Sequence, residues 1–97
     1  MTTQTELFAP AQRHSATSLA AARQIEPHLG RLQAMVLEYV KAQGSRGATD
    51  LEMQEALGLD GSTLRPRRRE LQKAGAIYRT IETRPTKSGM QASVWKA

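Results

Sequence analysis

A three-residue break, Gly58-Leu59-Asp60, constrains the fold of this 97-residue chain most, because helical signals lie on both sides of it. The segment before the break predicts a short helix over Asp50–Leu57, whose apolar face carries Met53, Ala56 and Leu57. After the break, either Asp60 or Ser62 can cap a second helix that we expect to run to about Ala74. So short a connection requires the two helices to pack closely against each other.

Capping residues support these helix ends. Thr49 followed by Glu52 has the spacing of a capping box, in which each side chain accepts a hydrogen bond from the other residue's backbone N–H. Gly58 and Gly75 suit the left-handed conformation that often ends a helix. Ile77 can cover the second helix end. These signals are local, and they fix the ends of both helices.

An apolar stripe lies upstream of this helix pair. It predicts a helix from near Pro27 to Gln43, which the segment Gly44-Ser45-Arg46-Gly47 ends. The stripe consists of Leu29, Leu32, Met35, Val36, Tyr39 and Val40. Thr17-Ser18 before an alanine-rich run predicts a further short helix, about Ser18–Gln24. We expect residues 1–16 to be a disordered tail and residues 17–97 to form one domain.

The residue composition changes after Gly75, where β-branched residues become frequent. The β-branched run Ile77–Thr83 predicts a strand, Arg84–Gln91 a loop, and Ala92–Lys96 a second strand that pairs with the first as an antiparallel hairpin. Tyr39 and Trp95 fall in apolar patterns, so we expect both in the core rather than as stacking platforms. The predicted fold class is mainly α with a small β-hairpin.

Composition excludes several classes of function. The chain has no cysteine, which rules out disulfides, thiolate catalysis and cysteine-ligated zinc. Neither His14 nor His28 has a second ligand at metal-binding spacing, so we expect no metal and no cofactor. No nucleophile elbow, phosphate loop or paired carboxylates are present, and we expect no enzyme. No apolar run could span a membrane, which favours a cytoplasmic protein.

The basic residues are concentrated in one part of the chain. The net charge is +5, and eight basic residues lie between Arg65 and Lys87 against only Glu70 and Glu82 as acids. Such a segment is typical of a protein that binds a polyanion. The alternative is a solvated helix face with an incidental excess of arginine. Charge alone does not distinguish this from a polyanion-binding segment.

The order of helix, short helix, tight turn, helix and hairpin resembles that of winged helix-turn-helix proteins over about residues 31–96. The matching segments are Thr49–Glu52, Gly58, Ser62–Leu64 and Glu70–Ile77. The resemblance implies that the chain binds double-stranded DNA, with the third of these helices as the recognition helix in the major groove and the hairpin as a wing.

A narrower resemblance is to small winged-helix proteins of phage and prophage genomes. It is carried by Arg65–Leu71, Thr86–Gly89 and Val94-Trp95. It implies a transcriptional regulator that occupies an operator in the cytoplasm of a bacterial or phage-infected host cell, with an architectural role as a second option. Helix-turn-helix proteins often bind as dimers. A homodimer stays open, because no dimer seam is identifiable in the sequence.

The helical period assigns roles to the residues of the recognition helix. Arg65 and Arg69, four apart, share its outer face, and each could bind guanine in bidentate fashion. Ser62 and Thr63 suit phosphate contacts, with helix capping as an equal alternative, and Arg67 suits phosphate or solvent. With Pro66, Lys73 and the basic wing, the DNA-binding candidates are Ser62, Thr63, Arg65, Pro66, Arg67, Arg69, Lys73, Arg84, Lys87 and Ser88.

Two residues of the recognition helix depart from the usual pattern. Arg68 falls on the inward stripe with Leu64, Leu71 and Ala74, where winged-helix proteins usually have an aliphatic residue. Because a buried unpaired Arg would be very costly, it either pairs with Glu52 or Glu55 or contacts DNA. Pro66 lacks an N–H. A helix that starts near Asp60 should therefore have a distorted or 3₁₀-like first turn.

A second function class also fits the sequence. Winged helices dock onto proteins as well as DNA, so the chain could be an interaction module for a host or phage protein. The predicted N-terminal helix, with Leu19, Ala20, Ala21, Ala22 and Ile25, would then be the binding element. Bracing of the core is the simpler role for that helix.

Overall fold

The computed structural model describes residues 29–97, and the elements found there are three α-helices followed by a two-stranded hairpin. Helix α1 spans Arg31–Gln43, α2 spans Asp50–Leu57 and α3 spans Gly61–Lys73; strand β1 spans Tyr78–Pro85 and β2 spans Gln91–Lys96. This confirms the mainly α class with a small β-hairpin. The predicted tail and the helix Ser18–Gln24 lie outside the described residues. The helix expected to start near Pro27 begins only at Arg31, because Gly30 has extended backbone and is its N-cap. None of the three helices is long and apolar enough to cross a bilayer.

The caps on α2 form as the sequence predicts. Thr49 Oγ1 accepts from the Glu52 backbone N–H at 3.2 Å, and Glu52 Oε1 accepts from the Thr49 N–H at 3.1 Å. Gly58 ends the helix with φ +69°, in the left-handed region that glycine adopts without strain. These contacts satisfy donors that the first turn of a helix leaves without partners and so fix the beginning of α2.

The start of α3 settles the choice between two capping residues. Asp60 is the cap, because its Oδ1 accepts from the Thr63 N–H at 2.8 Å, whereas the Ser62 hydroxyl donates to the same oxygen. The Asp60 carbonyl accepts from Thr63 at 3.1 Å as well as from Leu64 at 2.9 Å, so the first turn carries the 3₁₀-type bond expected ahead of Pro66. The α-helix nevertheless continues through Pro66 to Lys73.

The core lies where all three helices meet the hairpin. Its buried members are Val36, Leu37, Val40, Ala48, Met53, Leu64, Leu71, Ala76, Ile77 and Trp95. Trp95 is in the core as expected, and Tyr39 packs partly against it. Two expectations were wrong in detail. Leu37, outside the predicted stripe, is buried, whereas Ala56, assigned to the inner face of α2, is exposed.

The hairpin is longer than predicted. Strand β1 continues to Pro85, so the assignment of Arg84 to the loop was wrong, and the connection shortens to residues 86–90. The register shifts within β1, where Thr80, Ile81 and Glu82 lie opposite the single residue Val94. The Thr80 hydroxyl occupies this bulge, donating to the Val94 carbonyl at 2.9 Å and accepting from the Glu82 N–H at 3.1 Å.

Strand β2 is also paired on its other edge. Ala48 and Trp95 exchange backbone hydrogen bonds of 2.9 and 2.8 Å, which ties the segment between α1 and α2 to the hairpin. The backbone approaches closely here, because a Cβ on Gly47 would lie 2.6 Å from Val94 Cγ1 and 2.7 Å from the Trp95 carbonyl oxygen. Gly47, with φ +67°, therefore fits this position for both conformation and space.

A truncation pair tests this assignment of the core. Leu64→Ala should lower the free energy of unfolding by about 2–5 kcal/mol, since Leu64 is fully buried and its removal leaves a cavity. The matched control is Ile81→Ala, at a β1 residue that is 75% exposed, and should change stability by no more than about 0.5 kcal/mol. Urea unfolding followed by circular dichroism measures both. Equal losses for the two variants would contradict the assignment.

Candidate nucleic-acid interface

The outer surface of α3 carries positive charge that no residue within 29–97 neutralises. Arg65, Arg69 and Lys73 are exposed there, and no residue in 29–97 holds their side chains by a hydrogen bond or ion pair. We call these three residues the α3 cationic face. The guanidinium of Arg65 lies against the first turn, since a Cβ on Gly61 would come within 2.6 Å of its Nη1. Ser62 is exposed beside it, and Thr63 and Pro66 are half-buried.

Arg67 differs from these three residues because an acid binds it. Its Nε and Nη2 donate to Glu70 Oε1 and Oε2 at 2.8 and 2.9 Å. Glu70 also accepts from Gln33 Nε2 at 2.7 Å, which ties α3 to α1. The hydrogen bonds from Arg67 and Gln33 lower the pKa of Glu70 from 4.5 to about 2. A phosphate contact by Arg67 stays a prediction, and its charge is neutralised in the structure.

Arg68 takes the structural role that the sequence left open, but with a different partner. Its Nε and Nη2 donate to Asp50 Oδ1 and Oδ2 at 3.0 and 2.9 Å, rather than to Glu52 or Glu55. The guanidinium also lies 4.1 Å from the centroid of the Trp95 ring. Only 12% of the Arg68 side chain is exposed. A charge on the inward stripe is therefore compensated by a carboxylate and an aromatic face.

Arg84 joins the end of β1 to the start of α2. Its guanidinium donates to both carboxylate oxygens of Glu52 at 3.0 Å, and to the carbonyl oxygens of Arg46 at 3.3 Å and Gly47 at 3.2 Å. Burial on its own would raise the pKa of Glu52, but hydrogen bonds from Arg84 and Thr49 outweigh it and lower that pKa. Contact of Arg84 with DNA stays a prediction, and it would require these four bonds to be exchanged.

The tip of the hairpin holds the remaining candidates. Lys87 Nζ lies 3.0 Å from Glu55 Oε2, with 88% of the lysine side chain and 60% of the glutamate side chain exposed. A pair this exposed contributes little, about 0–1 kcal/mol. Ser88 Oγ lies 3.0 Å from Thr86 Oγ1, and the Thr86 N–H donates to the Met90 carbonyl at 2.7 Å. The tip is thus a hydrogen-bonded turn that presents Lys87 to solvent.

Arg79 is an exposed cation of the basic segment Arg65–Lys87 that is not among the predicted DNA-binding residues. Arg79 lies near the start of β1, opposite Trp95, and no hydrogen bond or ion pair holds it within the described chain. It was counted in the basic segment but not assigned a role. Only the register against Trp95, which the periodicity of the strand does not reveal, brings it next to α3.

Comparisons of the chain with protein-family models, with curated proteins and with solved structures found no match. Within residues 29–97, no three His, Cys, Asp or Glu side chains are grouped so that they could hold a metal ion.

The lowered pKa of Glu70 predicts how stability depends on pH. Because the folded-state pKa of about 2 lies below the ordinary 4.5, the contribution of Glu70 is present above about pH 5 and is lost as the pH falls toward 2. The difference in unfolding free energy between wild type and Glu70→Gln should therefore be largest near neutral pH and shrink on acidification. Urea unfolding over a pH series measures it. Glu38→Gln, on the exposed side of α1, is the control for removal of one surface charge, and a Glu70 difference independent of pH would contradict the prediction.

Replacement of Arg84 and of Lys87 by alanine should lower the free energy of unfolding by different amounts. Arg84→Ala leaves Glu52 without its bidentate partner and two carbonyl groups without a donor, so the unfolding free energy should fall by about 1–3 kcal/mol. Lys87→Ala removes only an exposed pair and should cost less than about 0.5 kcal/mol. Thermal and urea unfolding provide the comparison. A loss from Lys87→Ala as large as that from Arg84→Ala would be inconsistent with these roles.

Proposed function

We propose that this chain is a winged helix-turn-helix protein that binds double-stranded DNA, with α3 in the major groove. The observation that carries the proposal is the α3 cationic face. Arg65, Arg69 and Lys73 are exposed without partners in the described chain. Arg67 and Arg68 on the sides of α3 and Arg84 in the hairpin are each paired with an acid. Positive charge left free on one helix face suits a polyanion whose groove admits a single helix.

The arrangement of elements supports the same proposal. Helices α2 and α3 are joined by three residues, and the hairpin follows α3 directly. The pairing of Ala48 with Trp95 fastens the hairpin to the segment before α2, so that it stands beside the helix pair as a wing would. These features agree with the resemblance to winged helix-turn-helix proteins described above.

In the proposed complex, some residues of α3 contact bases and others contact phosphates, according to their position on the helix. Arg65 and Arg69 lie four apart on one face of the helix, where each guanidinium can donate two hydrogen bonds to guanine O6 and N7. The Thr63 hydroxyl and the ammonium of Lys73 contact phosphates, and the Ser62 hydroxyl does so by exchanging its hydrogen bond to Asp60. The role that fits is that of a phage or prophage type of transcriptional regulator that occupies an operator in the cytoplasm.

Binding to duplex DNA as a function of salt tests this proposal. The duplex is first selected from a random pool by the wild-type protein, and affinity is then measured by fluorescence anisotropy over a range of KCl concentrations. Wild type should bind, with log affinity falling linearly against log salt at about 0.9 per phosphate neutralised. Arg69→Ala should lose about 1–3 kcal/mol on the selected duplex and much less on a random one, because it removes a base contact.

The matched control is Arg31→Ala, which removes the same charge from the exposed first turn of α1, outside the α3 cationic face. It should retain nearly wild-type affinity. No detectable duplex binding by wild type at low salt, or equal losses from Arg31→Ala and Arg69→Ala, would overturn the proposal.

A further inference from the structure

A polar cleft of about 440 Å³ lies between α3 and the hairpin, next to the α3 cationic face. Its lining includes Asp50, Arg68, Gln72, Arg79, Ser93 and Trp95. Asp50, Arg68 and Trp95 form the structural contact described above, and Gln72, Arg79 and Ser93 are not part of the α3 cationic face. The cleft is thus a feature that the α3 contacts do not use.

The charges in the cleft leave one cation free. Both oxygens of Asp50 are taken by Arg68, whose guanidinium lies over Trp95. Arg79 is exposed and has no hydrogen bond or ion pair to any residue of the described chain. The only carboxylate that lines the cleft is therefore compensated, and the guanidinium of Arg79 gives the cleft a net positive charge.

Hydrogen-bond donors in the cleft are also left open. Gln72 Oε1 accepts from Arg68 Nη1 at 3.1 Å, which leaves the amide N–H groups of Gln72 without an acceptor in the described chain. The half-buried Ser93 hydroxyl likewise has no hydrogen bond there. A guanidinium, an amide and a hydroxyl, all with donors to spare, are the groups that bind phosphate oxygens.

The cleft continues the α3 cationic face. Gln72 lies three residues after Arg69 and seven after Arg65, so helical spacing places all three on one side of α3. A duplex seated on this side with α3 in its major groove has a phosphate backbone along the edge of that groove. We propose that the cleft binds one such backbone phosphate, with Arg79 as the ionic contact and Gln72 and Ser93 as hydrogen-bond donors. This inference rests on the proposed function.

The first test is the salt dependence of duplex binding by Arg79→Ala, with Arg31→Ala as the charge-matched control. Loss of one phosphate contact should reduce the salt slope by about 0.9, so over a fourfold rise in salt wild type loses about 3.5 times more affinity than the variant. The loss at low salt should be equal on selected and random duplexes, unlike that of Arg69→Ala. Arg79→Lys should keep the slope, and urea unfolding checks that each variant is folded.

The second test locates the phosphate. Duplexes in which single phosphates are replaced by neutral methylphosphonates should reveal a position that weakens wild type but leaves Arg79→Ala unaffected. Titration with inorganic phosphate at constant ionic strength distinguishes a site for a free anion from one for the DNA backbone. An unchanged slope for Arg79→Ala, or saturable Arg79-dependent binding of inorganic phosphate without any such position, would overturn the inference while leaving duplex binding intact. Absence of duplex binding by wild type would overturn the proposed function and this inference with it.

Discussion

The guanidinium of Arg68 connects three elements of the domain at once. It projects from α3, pairs with Asp50 at the start of α2 and lies over Trp95 in β2. An unpaired charge at a site this buried would be very costly, and the bidentate carboxylate together with the ring face compensates it. Because both partners must be in place, the interaction specifies the position of α3 relative to α2 and the hairpin more narrowly than an aliphatic residue would.

The same requirement of pairing determines where free positive charge remains. Arg67, Arg68 and Arg84 lie on the sides of the structure that meet other elements, and each has a bidentate acid. The α3 cationic face and Arg79 are exposed, and no acid within residues 29–97 pairs with them. The excess of arginine in the sequence is thus divided by packing into a structural set and a free set. Only the free set can gain much by neutralising phosphates.

Much of the fold is predictable because helix caps involve residues that are close in the sequence. Part of the site is not predictable, because its ion pairs join residues that are far apart in the sequence. The cap of Thr49 and Glu52 and the end of α2 at Gly58 involve partners within a few positions, so the sequence alone indicates them. Arg68 and Asp50 are 18 positions apart, and Arg84 and Glu52 are 32 apart. Which acid each arginine meets depends on helix packing and on where β1 ends, and neither follows from periodicity. The bulge of β1 at Thr80 has no signature in the strand pattern either.

Two of the basic residues of the hairpin, Arg84 and Lys87, illustrate what this division means for binding. Lys87 and Glu55 are so exposed that water already screens their attraction, and a phosphate could replace Glu55 at little cost. Arg84 would have to leave a carboxylate and two backbone carbonyl groups that accept from no other side chain within residues 29–97. The hairpin therefore has one readily exchangeable cation at its tip and Arg79 in β1, unpaired within the described chain, whereas α3 has three cations that need no exchange. Under the proposed function, affinity and base discrimination depend mainly on α3, and the hairpin serves chiefly to hold the duplex in register.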